Sequence, residues 1–397
     1  MTAEPTRIAL LGAGGFAIKA HLPAIAAADD TLFLAAVYSR SLNSVNALIE
    51  ATKKHHATSH ELDVYSEDPS TDGLDALLAR KDISTVVLAL PITSQPAIIE
   101  KALRAGKNVV SEKPVAPSLA NAKRLIELYE REFRPQGLQW IVAEQYAYTQ
   151  AYDKARELIR DGKIGDVRTF DATVFIQPTA QAAGTGWRSK PDYQGGFILD
   201  GGVHFAAGVR HILPYPITSV VAHSSQIQPN LPPCDTLIGL ATASPPSGPP
   251  ITGTFNFSFG TEKPSGTRSY TFRGSRGVLT IDWASPRTHT LKLTNFPSVN
   301  SPPTSPVTGG AGEDEEEQPH ELTIEFPGGA GVEDEFAFFG RALVPGAGSQ
   351  KAKEVERRSG PRAALRDLAF IEGGLRSSEE KREVDLREAV GELWQLE

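Results

Sequence analysis

A strand that ends in a glycine-rich turn constrains the fold of this chain more than any other feature. Arg7–Leu11 (RIALL) is typical of a buried strand, and the turn GAGGFA (12–17) leads from it into an amphipathic stretch. This spacing, G-x-G-x-x-G/A, indicates a βαβ unit whose turn binds the pyrophosphate of a dinucleotide. Gly12 allows the tight turn, Gly14 lets the phosphates approach the backbone, and Ala17 lets the helix pack closely on the strand. The predicted cofactor contacts of this turn are Gly12, Gly14, Gly15, Phe16 and Ala17.

The end of the second predicted strand, Phe33–Tyr38, bears on which dinucleotide is bound. It is followed by Ser39-Arg40-Ser41, with no acidic residue to accept hydrogen bonds from a free ribose 2′-hydroxyl. A guanidinium flanked by hydroxyls is suited to a 2′-phosphate instead. We therefore predict that NADP(H) is preferred and that Ser39, Arg40 and Ser41 contact it. NAD(H) stays open, because Arg40 could lie in solvent or stack on the adenine without discriminating.

Alternating strands and helices continue to about residue 148, which indicates a doubly wound parallel sheet covered on both faces. Eight later runs alternate or concentrate apolar residues as antiparallel strands do, from Val167–Ile176 to Glu321–Phe326. The predicted fold is an α/β Rossmann domain over residues 1–148, followed by an α+β domain with one large sheet over residues 149–397.

One segment of the second domain differs in composition. Residues 297–319 are rich in Pro, Ser and Gly and end in an acidic run, so they cannot bury enough apolar surface to order themselves. We predict a mobile surface loop there. Two late helices, Val332–Leu343 and Pro361–Ser377, are predicted to close the chain.

Charge and composition exclude several functional classes. The 397 residues carry a net charge of −8, which argues against binding to a nucleic-acid backbone. The single cysteine, Cys234, excludes an intrachain disulfide and a cysteine-rich metal site, and no metal is expected. No run reaches the roughly 18 apolar residues that span a bilayer, and the first residues do not resemble a secretory signal. We expect a cytoplasmic protein that handles small molecules and has neither nucleic-acid nor membrane partners.

Two further motifs carry side chains suited to proton transfer. Glu112-Lys113-Pro114 follows a strand-like run, which places Lys113 at the carboxyl edge where parallel sheets bind ligands. There the ammonium group can donate a proton or hydrogen bond to a carbonyl or hydroxyl oxygen, whereas a surface ion pair with Glu112 is the alternative. Asp200 and His204 lie four residues apart and share one helical face, either as a buried ion pair or as a catalytic pair.

The order of these motifs resembles that of a known family. GAGGFA is followed by LPITSQ (Leu90–Gln95), AGKNVVSEKP (Ala105–Pro114), KARELIRDGKIGDV (Lys154–Val167) and GGFILDGGVH (Gly195–His204). Together they resemble the glucose–fructose oxidoreductase/inositol dehydrogenase/MocA (Gfo/Idh/MocA) family over nearly the whole chain. The resemblance implies a two-domain NAD(P)-dependent oxidoreductase acting on CH–OH groups. It also implies that the second domain has a large, open, mostly antiparallel sheet for substrate binding, through which a homodimer or higher homo-oligomer forms.

The same resemblance implies roles for individual residues. Lys113 and His204 would manage the hydroxyl proton while hydride moves at nicotinamide C4, and Asp200 would orient the histidine or bind a substrate hydroxyl. The further cofactor contacts are Leu90, Pro91, Gln95, Glu112, Lys113, Gln145, Trp187 and Arg188. The substrate contacts are Lys113, Tyr146, Tyr193, Asp200 and His204. Gly201 and Gly202 are expected to keep backbone bulk low where substrate and nicotinamide meet.

The expected function is NADP(H)-dependent interconversion of a secondary alcohol and a ketone or aldehyde on a sugar, sugar derivative or related cyclic small molecule. Two alternatives stay open: a redox-neutral epimerase or lyase with tightly held NAD(P), and a non-catalytic NADP-binding regulator. Ala207 departs from the family pattern, because relatives often carry an acid or amide there. It predicts a less polar pocket and a less hydroxylated substrate.

Overall fold

The computed structural model describes residues 4–54, 60–179, 186–261, 266–285, 288–296, 320–327, 331–343 and 349–395. The predicted surface loop 297–319 lies outside these residues. Within the described ranges, no helix is both long and apolar enough to cross a membrane.

Six parallel strands form the first sheet. They are β1 (Thr6–Leu11), β2 (Leu32–Ser39), β3 (Asp63–Ser66), β4 (Thr85–Leu88), β5 (Asn108–Glu112) and β6 (Trp140–Ala143). Their order is β3-β2-β1-β4-β5-β6, and every neighbouring pair is parallel. Every residue of β4 and β6 is buried, as continuous apolar runs in a sheet covered on both faces should be. The strand order reverses between β1 and β4, so their carboxyl ends form the crevice in which such sheets bind ligands.

Apolar clusters cover both faces of this sheet. The helices between its strands are α1 (Leu22–Ala27), α2 (Leu42–Lys54), α3 (Leu74–Ala79), α4 (Gln95–Arg104) and α5 (Leu119–Leu128). Ile8 and Leu10 of β1 belong to one cluster and Ala9 and Leu11 to the other, because successive side chains of a strand point to opposite faces. A π-helical turn, Ala17–His21, leads from the glycine turn into α1.

The second sheet has nine strands. They are β7 (Val167–Phe175), β8 (Ile217–Ser225), β9 (Thr236–Ala243), β10 (Ile251–Ser258), β11 (Thr267–Gly274), β12 (Gly277–Ser285), β13 (Thr288–Asn295), β14 (His320–Pro327) and β15 (Val384–Asp385). Their order is β14-β13-β12-β11-β7-β10-β9-β8-β15. Only the β7–β10 pair is parallel among these described strands, and the other pairs are antiparallel. The predicted fold class, a Rossmann domain followed by an α+β domain with a large, mostly antiparallel sheet, is confirmed.

Two long helices cover one face of the second sheet. The helices of this part are α6 (Gln150–Arg160), α7 (Gly186–Ser189), α8 (Gly196–Ile212), α9 (Val332–Leu343), α10 (Ser349–Ser359), α11 (Pro361–Glu380) and α12 (Leu386–Val390). The α11 helix packs on both α8 and β8. The ring of its Phe370 meets Phe255 of β10 edge to face, with 4.8 Å between ring centroids.

The glycines inside α8 serve this packing and not the substrate cleft, contrary to expectation. A Cβ on Gly201 would lie 2.3 Å from the ring of Phe259, and one on Gly202 would lie 3.1 Å from Ile371 of α11. Their lack of a side chain therefore lets α8 approach the sheet and the neighbouring helix closely.

The α9 helix returns to the first domain. Val332, Phe336 and Phe339 belong to the same apolar cluster as Ile8 and Leu22. Part of the chain that the predicted division assigns to the second domain thus covers the first sheet. The predicted domain boundary, between residues 148 and 149, falls between the 3-10 turn Gln145–Tyr148 and α6. It stays a prediction.

Several elements were not foreseen, among them α7 and, after the helix predicted to close the chain, β15 and α12. For three others the reasons are local. The β3 strand is only four residues long, with three of them at least partly exposed, so it lacks an apolar run. The α3 helix is six residues long. The α10 helix, SQKAKEVERRS, has a single large apolar residue, Val355, and so shows no apolar stripe at helical spacing.

Candidate active site

The glycine turn lies open at the carboxyl end of β1. Gly12 has a φ of +112°, and a Cβ there would lie 2.2 Å from the carbonyl oxygen of Ala89, so only glycine fits. Gly14 and Gly15 have no atom within 4 Å of an added Cβ, which leaves space above the backbone. Ala17 is fully buried, as close packing of the helix requires, whereas Phe16 is 42% exposed.

The turn that follows β4 lies beside these glycines. Leu90 approaches within 3.3 Å of a Cβ added to Gly12, and the carbonyl of Pro91 accepts a hydrogen bond from Ser94. Gln95 opens α4 and is completely buried, yet among the described residues neither its amide nitrogen nor its amide oxygen has a hydrogen-bond partner. Buried amides are nearly always bonded, so this side chain is suited to a ligand that brings a donor and an acceptor.

The end of β2 carries exposed polar groups. Arg40 and Ser41 are exposed and Ser39 is partly exposed. The Glu67 carboxylate, at the end of neighbouring β3, accepts a hydrogen bond of 2.8 Å from the Tyr38 hydroxyl. Burial, with this hydrogen bond, raises the pKa of Tyr38 well above its usual range. The guanidinium of Arg40 thus stands at the strand end, while the neighbouring carboxylate is bonded to Tyr38.

Lys113 reaches across to the second domain. It directly follows β5, and its Nζ donates to Oδ1 of Asp200 at 2.9 Å and to the Asp200 carbonyl at 2.7 Å. The other carboxylate oxygen of Asp200 accepts a hydrogen bond of 2.6 Å from Nε of Arg188. Burial acts to raise the pKa of Asp200, but the charges of Lys113 and Arg188 outweigh it and lower the pKa to about 2. Asp200 is therefore a carboxylate that holds two cations in place. The Lys113–Pro114 peptide bond is cis.

His204 is held by a different carboxylate. Its Nδ1 lies 2.7 Å from Oε1 of Glu144, the residue directly after β6. Glu144 is buried, and the charges of His204 and Lys113 lower its pKa against the opposing effect of burial. The Tyr146 ring stacks on the imidazole with 4.9 Å between centroids and 18° between planes. With Nδ1 bonded to a carboxylate, Nε2 is the nitrogen left to exchange a proton.

This arrangement corrects one of the two roles expected for Asp200, that of orienting His204, whereas binding of a substrate hydroxyl stays a prediction. Asp200 and His204 lie one turn apart on α8, but the carboxylate bonded to the imidazole belongs to Glu144. Asp200 bonds instead with Lys113 and Arg188.

Two aromatic residues border the Asp200 ion pairs. The guanidinium of Arg188 lies 4.1 Å from the ring centroid of Trp187. Tyr193 is buried and its hydroxyl has no hydrogen-bond partner, while burial and then the charge of Asp200 raise its pKa well above the usual range. The structure therefore places Arg188 and Tyr193 near Asp200, with Trp187 next to both of them. Their contacts with the cofactor and the substrate stay predictions.

Two comparisons with known proteins bear on what this site is. Residues 6–135 match the family described as "Oxidoreductase family, NAD-binding Rossmann fold", and residues 152–280 match the "GFO/IDH/MocA C-terminal domain". The dehydrogenase FPY6 of Fusarium mangiferae is 34% identical over 379 residues, which cover 94% of this chain and 96% of that protein. The chain belongs to the Gfo/Idh/MocA family. It is an oxidoreductase with an NAD(P)-binding Rossmann domain.

Other Gfo/Idh/MocA relatives extend the comparison. A dTDP-3,4-didehydro-2,6-dideoxy-α-D-glucose 3-reductase of Streptomyces violaceoruber is 32% identical over 71% of this chain and 74% of that protein. An oxidoreductase of Thermotoga maritima has a similar fold, with a TM-score of 0.74, 26% identity and coverage of 97% and 99%. KijD10 of Actinomadura kijaniata, a 3-ketoreductase solved with NADP and TDP-benzene, shares the fold at a TM-score of 0.68 and 22% identity, over 93% of this chain and 96% of that one.

The carboxylate of Glu112, an expected cofactor contact, is already occupied in this member of the Gfo/Idh/MocA family. Its Oε1 lies 2.6 Å from Nε2 of His21, and its Oε2 accepts the backbone N–H of Lys113. His21 comes from the π-helical turn after the glycines and packs between the rings of Phe16 and Phe336. Gln145, another expected contact, is buried, and its backbone carbonyl oxygen lies next to Gly331.

A second carboxyl group that sequence reasoning missed is Glu335 of α9. It is buried and its Oε1 has no hydrogen-bond partner. Burial, followed by the charges of Glu112 and Glu144, raises its pKa well above the usual range, which favours the neutral acid beside these two carboxylates. A signal was present in the sequence: Glu335 falls between the apolar positions Val332, Phe336 and Phe339, on the buried stripe of its helix.

Ala207 does not line the cleft. Its exposed fraction is 0%, so its methyl group lies in packed protein. The prediction of a less polar pocket therefore has no support from this residue. In the part of the chain that the structure describes, no group of three or more His, Cys, Asp or Glu side chains could hold a metal ion.

Proposed function

We propose that this protein is an NADP(H)-dependent oxidoreductase that interconverts a secondary alcohol and a ketone or aldehyde on a sugar, sugar derivative or related cyclic small molecule. The observation that carries this proposal is the pairing of groups across the two domains. The ammonium of Lys113 is anchored to Asp200, and the imidazole of His204 is anchored to Glu144, both beside the carboxyl edge of the first sheet. The reductase named for the Streptomyces violaceoruber relative supports a carbonyl of a sugar as the substrate class.

The residues present fit the cofactor. The open backbone at Gly14 and Gly15 can receive a pyrophosphate, and the unpartnered amide of Gln95 can bond the nucleotide beyond it. Arg40, flanked by Ser39 and Ser41, would bind the 2′-phosphate that distinguishes NADP(H) from NAD(H). When bound, the nicotinamide supplies or takes up a hydride at C4.

The side chains of this chain would manage the oxygen and its proton. An ammonium has three donors, and two of those of Lys113 are used by Asp200, so the third is free to hold a substrate oxygen. His204 would exchange the proton at Nε2, because Glu144 holds Nδ1 and fixes the orientation of the ring. Tyr193, with its unpartnered hydroxyl near Asp200, would bind a substrate hydroxyl. Tyr146 would keep the imidazole in its plane.

A substrate screen tests this proposal. Purified full-length protein is mixed with free and nucleotide-linked keto sugars and with polyols, and the absorbance of NADPH and of NADH is followed in parallel. We expect net oxidation of NADPH by a carbonyl sugar, with kcat/KM at least tenfold higher than with NADH, about 1.4 kcal/mol. Turnover without net change in the cofactor would indicate a redox-neutral enzyme. NADPH binding without any reaction across the panel would indicate a regulator and contradict the proposal.

We also propose that two copies associate through the outer face of the second sheet. Val221, Ile238 and Leu240 are each about 39–48% exposed, and Val221 is paired with Leu240 across β8 and β9. Leu237 points to the opposite face, where it packs on α11, so the three exposed side chains share the uncovered face. A Leu240→Lys variant should halve the mass measured by light scattering if this face forms a dimer. The cytoplasmic location and the lack of nucleic-acid or membrane partners stay predictions.

A further inference from the structure

A small arginine-lined cavity lies apart from the cofactor and substrate residues. Its volume is about 160 Å³, well above the ~15 Å³ that a single water needs. It is bordered by α6, α8 and α11, and Ala206 and Arg210 are its contacts on α8. At 100° per residue, these two lie on the face of α8 turned away from Asp200 and His204. The cavity is therefore separate from the proposed active site.

Positive charge predominates in its lining. Four arginines and one acidic residue line it: Arg156, Arg210, Arg357, Arg366 and Asp367. The remaining lining residues are apolar, proline or tyrosine side chains, among them Leu213 and Phe370. Cationic groups in such a setting need counter-charges, because burial removes the water that would otherwise solvate them.

Two of the four arginines have carboxylate partners. Arg210 forms a two-point ion pair with Asp367, with Nε and Nη2 at 2.6 and 2.9 Å from the carboxylate oxygens. Arg357 likewise bonds both oxygens of Glu354, at 2.8 and 2.6 Å. These two guanidinium groups are neutralised within the chain.

Arg156 and Arg366 bond backbone carbonyls instead. Arg156 donates from Nη1 to the carbonyl of His211 at 2.8 Å. Arg366 donates two long hydrogen bonds of 3.4 Å to the carbonyls of Trp394 and Gln395, and no acceptor among the described residues bonds its buried Nε. A carbonyl satisfies a donor but brings no charge, so neither guanidinium has a directly bonded carboxylate, although carboxylates act on both from a greater distance.

Burial beside other arginines lowers the pKa values of both Arg156 and Arg366. Burial and then the charge of Arg357 lower the pKa of Arg156 to about 10, and burial and then the charge of Arg210 lower the pKa of Arg366 to about 10. An arginine ordinarily stays above 12. A doubly charged anion would supply the missing counter-charge and an acceptor for the orphaned Nε.

We propose that this cavity binds the phosphate group of a small molecule, or inorganic phosphate itself, through Arg156 and Arg366. The planar fork of a guanidinium matches the spacing of phosphate oxygens, and two such groups match the charge of a dianion. Arg210 and Arg357, already held by carboxylates, border the bound group. The proposal does not depend on the proposed function, because none of these residues belongs to the cofactor or substrate site.

Thermal unfolding of the full-length protein tests the site. The unfolding temperature is measured with increasing inorganic phosphate, the ionic strength being held constant with sodium chloride, and saturating NADPH is present to occupy a nucleotide site. We expect a saturable rise in the unfolding temperature with phosphate but not with chloride, because a ligand that binds only the native state stabilises it. A phosphate monoester is run in parallel: tighter binding than inorganic phosphate would show that the ligand has an organic part.

Variants assign the effect to these residues. Arg366→Gln and Arg156→Gln should each weaken phosphate affinity at least tenfold, whereas Arg168→Gln, at an exposed arginine, should keep the wild-type response. Arg40→Ala should also keep it, which separates this site from the 2′-phosphate site. Arg366→Lys serves if the glutamine variant fails to fold, and should retain the charge but lose the two-point contact and most of the affinity. No phosphate-specific shift, or a shift unchanged in the Arg156 and Arg366 variants, would overturn the proposal.

Discussion

The glycine turn and the charged centre are built in opposite ways. At the turn, Gly12 is enclosed by the backbone of Ala89 while Gly14 and Gly15 stand open, so the site consists of main chain and empty space. At the centre, Lys113, Asp200 and Glu144 are bonded to one another or to Arg188 and His204, and each charge has a partner. The turn is made by a few consecutive residues, whereas the centre exists only when the two domains meet.

The two regions should therefore respond differently to substitution. A substitution at the turn acts through steric clash. It lowers the stability of the fold or the affinity for the cofactor, depending on which glycine is replaced. A substitution at the charged centre removes one partner of a buried ion pair and leaves the other as a buried charge without an opposite charge beside it. We expect four sets of substitutions to distinguish the two regions, with effects that decrease from the first to the last.

The largest effect is expected at His204. His204→Ala should lower kcat by about 100–10,000-fold, because a positioned acid–base group contributes that much. Glu144→Gln should lower kcat in the same direction but less, since the imidazole stays and only its orienting partner changes. Steady-state kinetics on the substrate found in the screen measure both. His320→Ala, at an exposed histidine at the start of β14, is the matched control and should keep wild-type kcat. Undiminished kcat in His204→Ala would exclude the assigned role.

The second prediction separates two glycines of the turn. Gly12→Ala forces a Cβ to within 2.2 Å of the Ala89 carbonyl oxygen at a φ of +112°, and should lower the free energy of unfolding by roughly 3 kcal/mol. Gly14→Ala meets no atom within 4 Å and should leave stability unchanged while weakening NADPH binding. Chemical denaturation and fluorescence titration measure the two quantities. Equal stability of both variants would refute the distinction.

The third prediction concerns acid stability of the centre. The pKa of Asp200 is about 2 in the folded protein and near its ordinary value of 3.8 when unfolded, so the unfolded chain binds the proton first as pH falls. This carboxylate stabilises the fold above pH 4, and about 2 kcal/mol of that stability is lost between pH 4 and pH 2. Asp200→Asn should remove that part of the slope in denaturation curves recorded across this interval. A variant with the wild-type slope would contradict the ion-pair account.

The smallest effect is expected at the cofactor edge. Arg40→Ala should lower kcat/KM for NADPH about tenfold, or 1.4 kcal/mol, and leave the value for NADH within a factor of two. The exposed guanidinium interacts through solvent, which limits the energy it can contribute. Parallel decreases for both cofactors would instead indicate that Arg40 stacks on the adenine.

The same contrast explains what could be predicted from the sequence. The glycine turn was predictable because its function depends on consecutive residues whose spacing is itself the signal. Lys113, Asp200 and His204 were found through motifs, but the partner of each was not, since a motif does not report which residues of another domain approach it. Glu144 therefore went without a role, and one of the two roles considered for Asp200, orienting His204, was wrong. The buried position of Ala207 was equally hidden, because helical periodicity does not distinguish a cleft from a packed interior.

The second domain was predictable in outline and not in detail. Alternating polarity predicted the strands of the large sheet, several to the residue, such as Ile217–Ser225 and Thr288–Asn295. The return of α9 to the first domain was not predictable, since its apolar stripe fits any apolar surface.

The hydrogen bond between Glu144 and His204 restricts which second domains could replace the present one during evolution. Glu144 follows the last strand of the first sheet, and His204 lies on the helix that covers the second. A chimera that joins this first domain to the second domain of a relative would keep its cofactor turn whatever the donor. It would retain proton transfer only if the donor supplied a histidine opposite Glu144 and a carboxylate opposite Lys113. Two side-chain pairs, together with the apolar surface that α9 covers, thus limit which second domains are compatible with this first one.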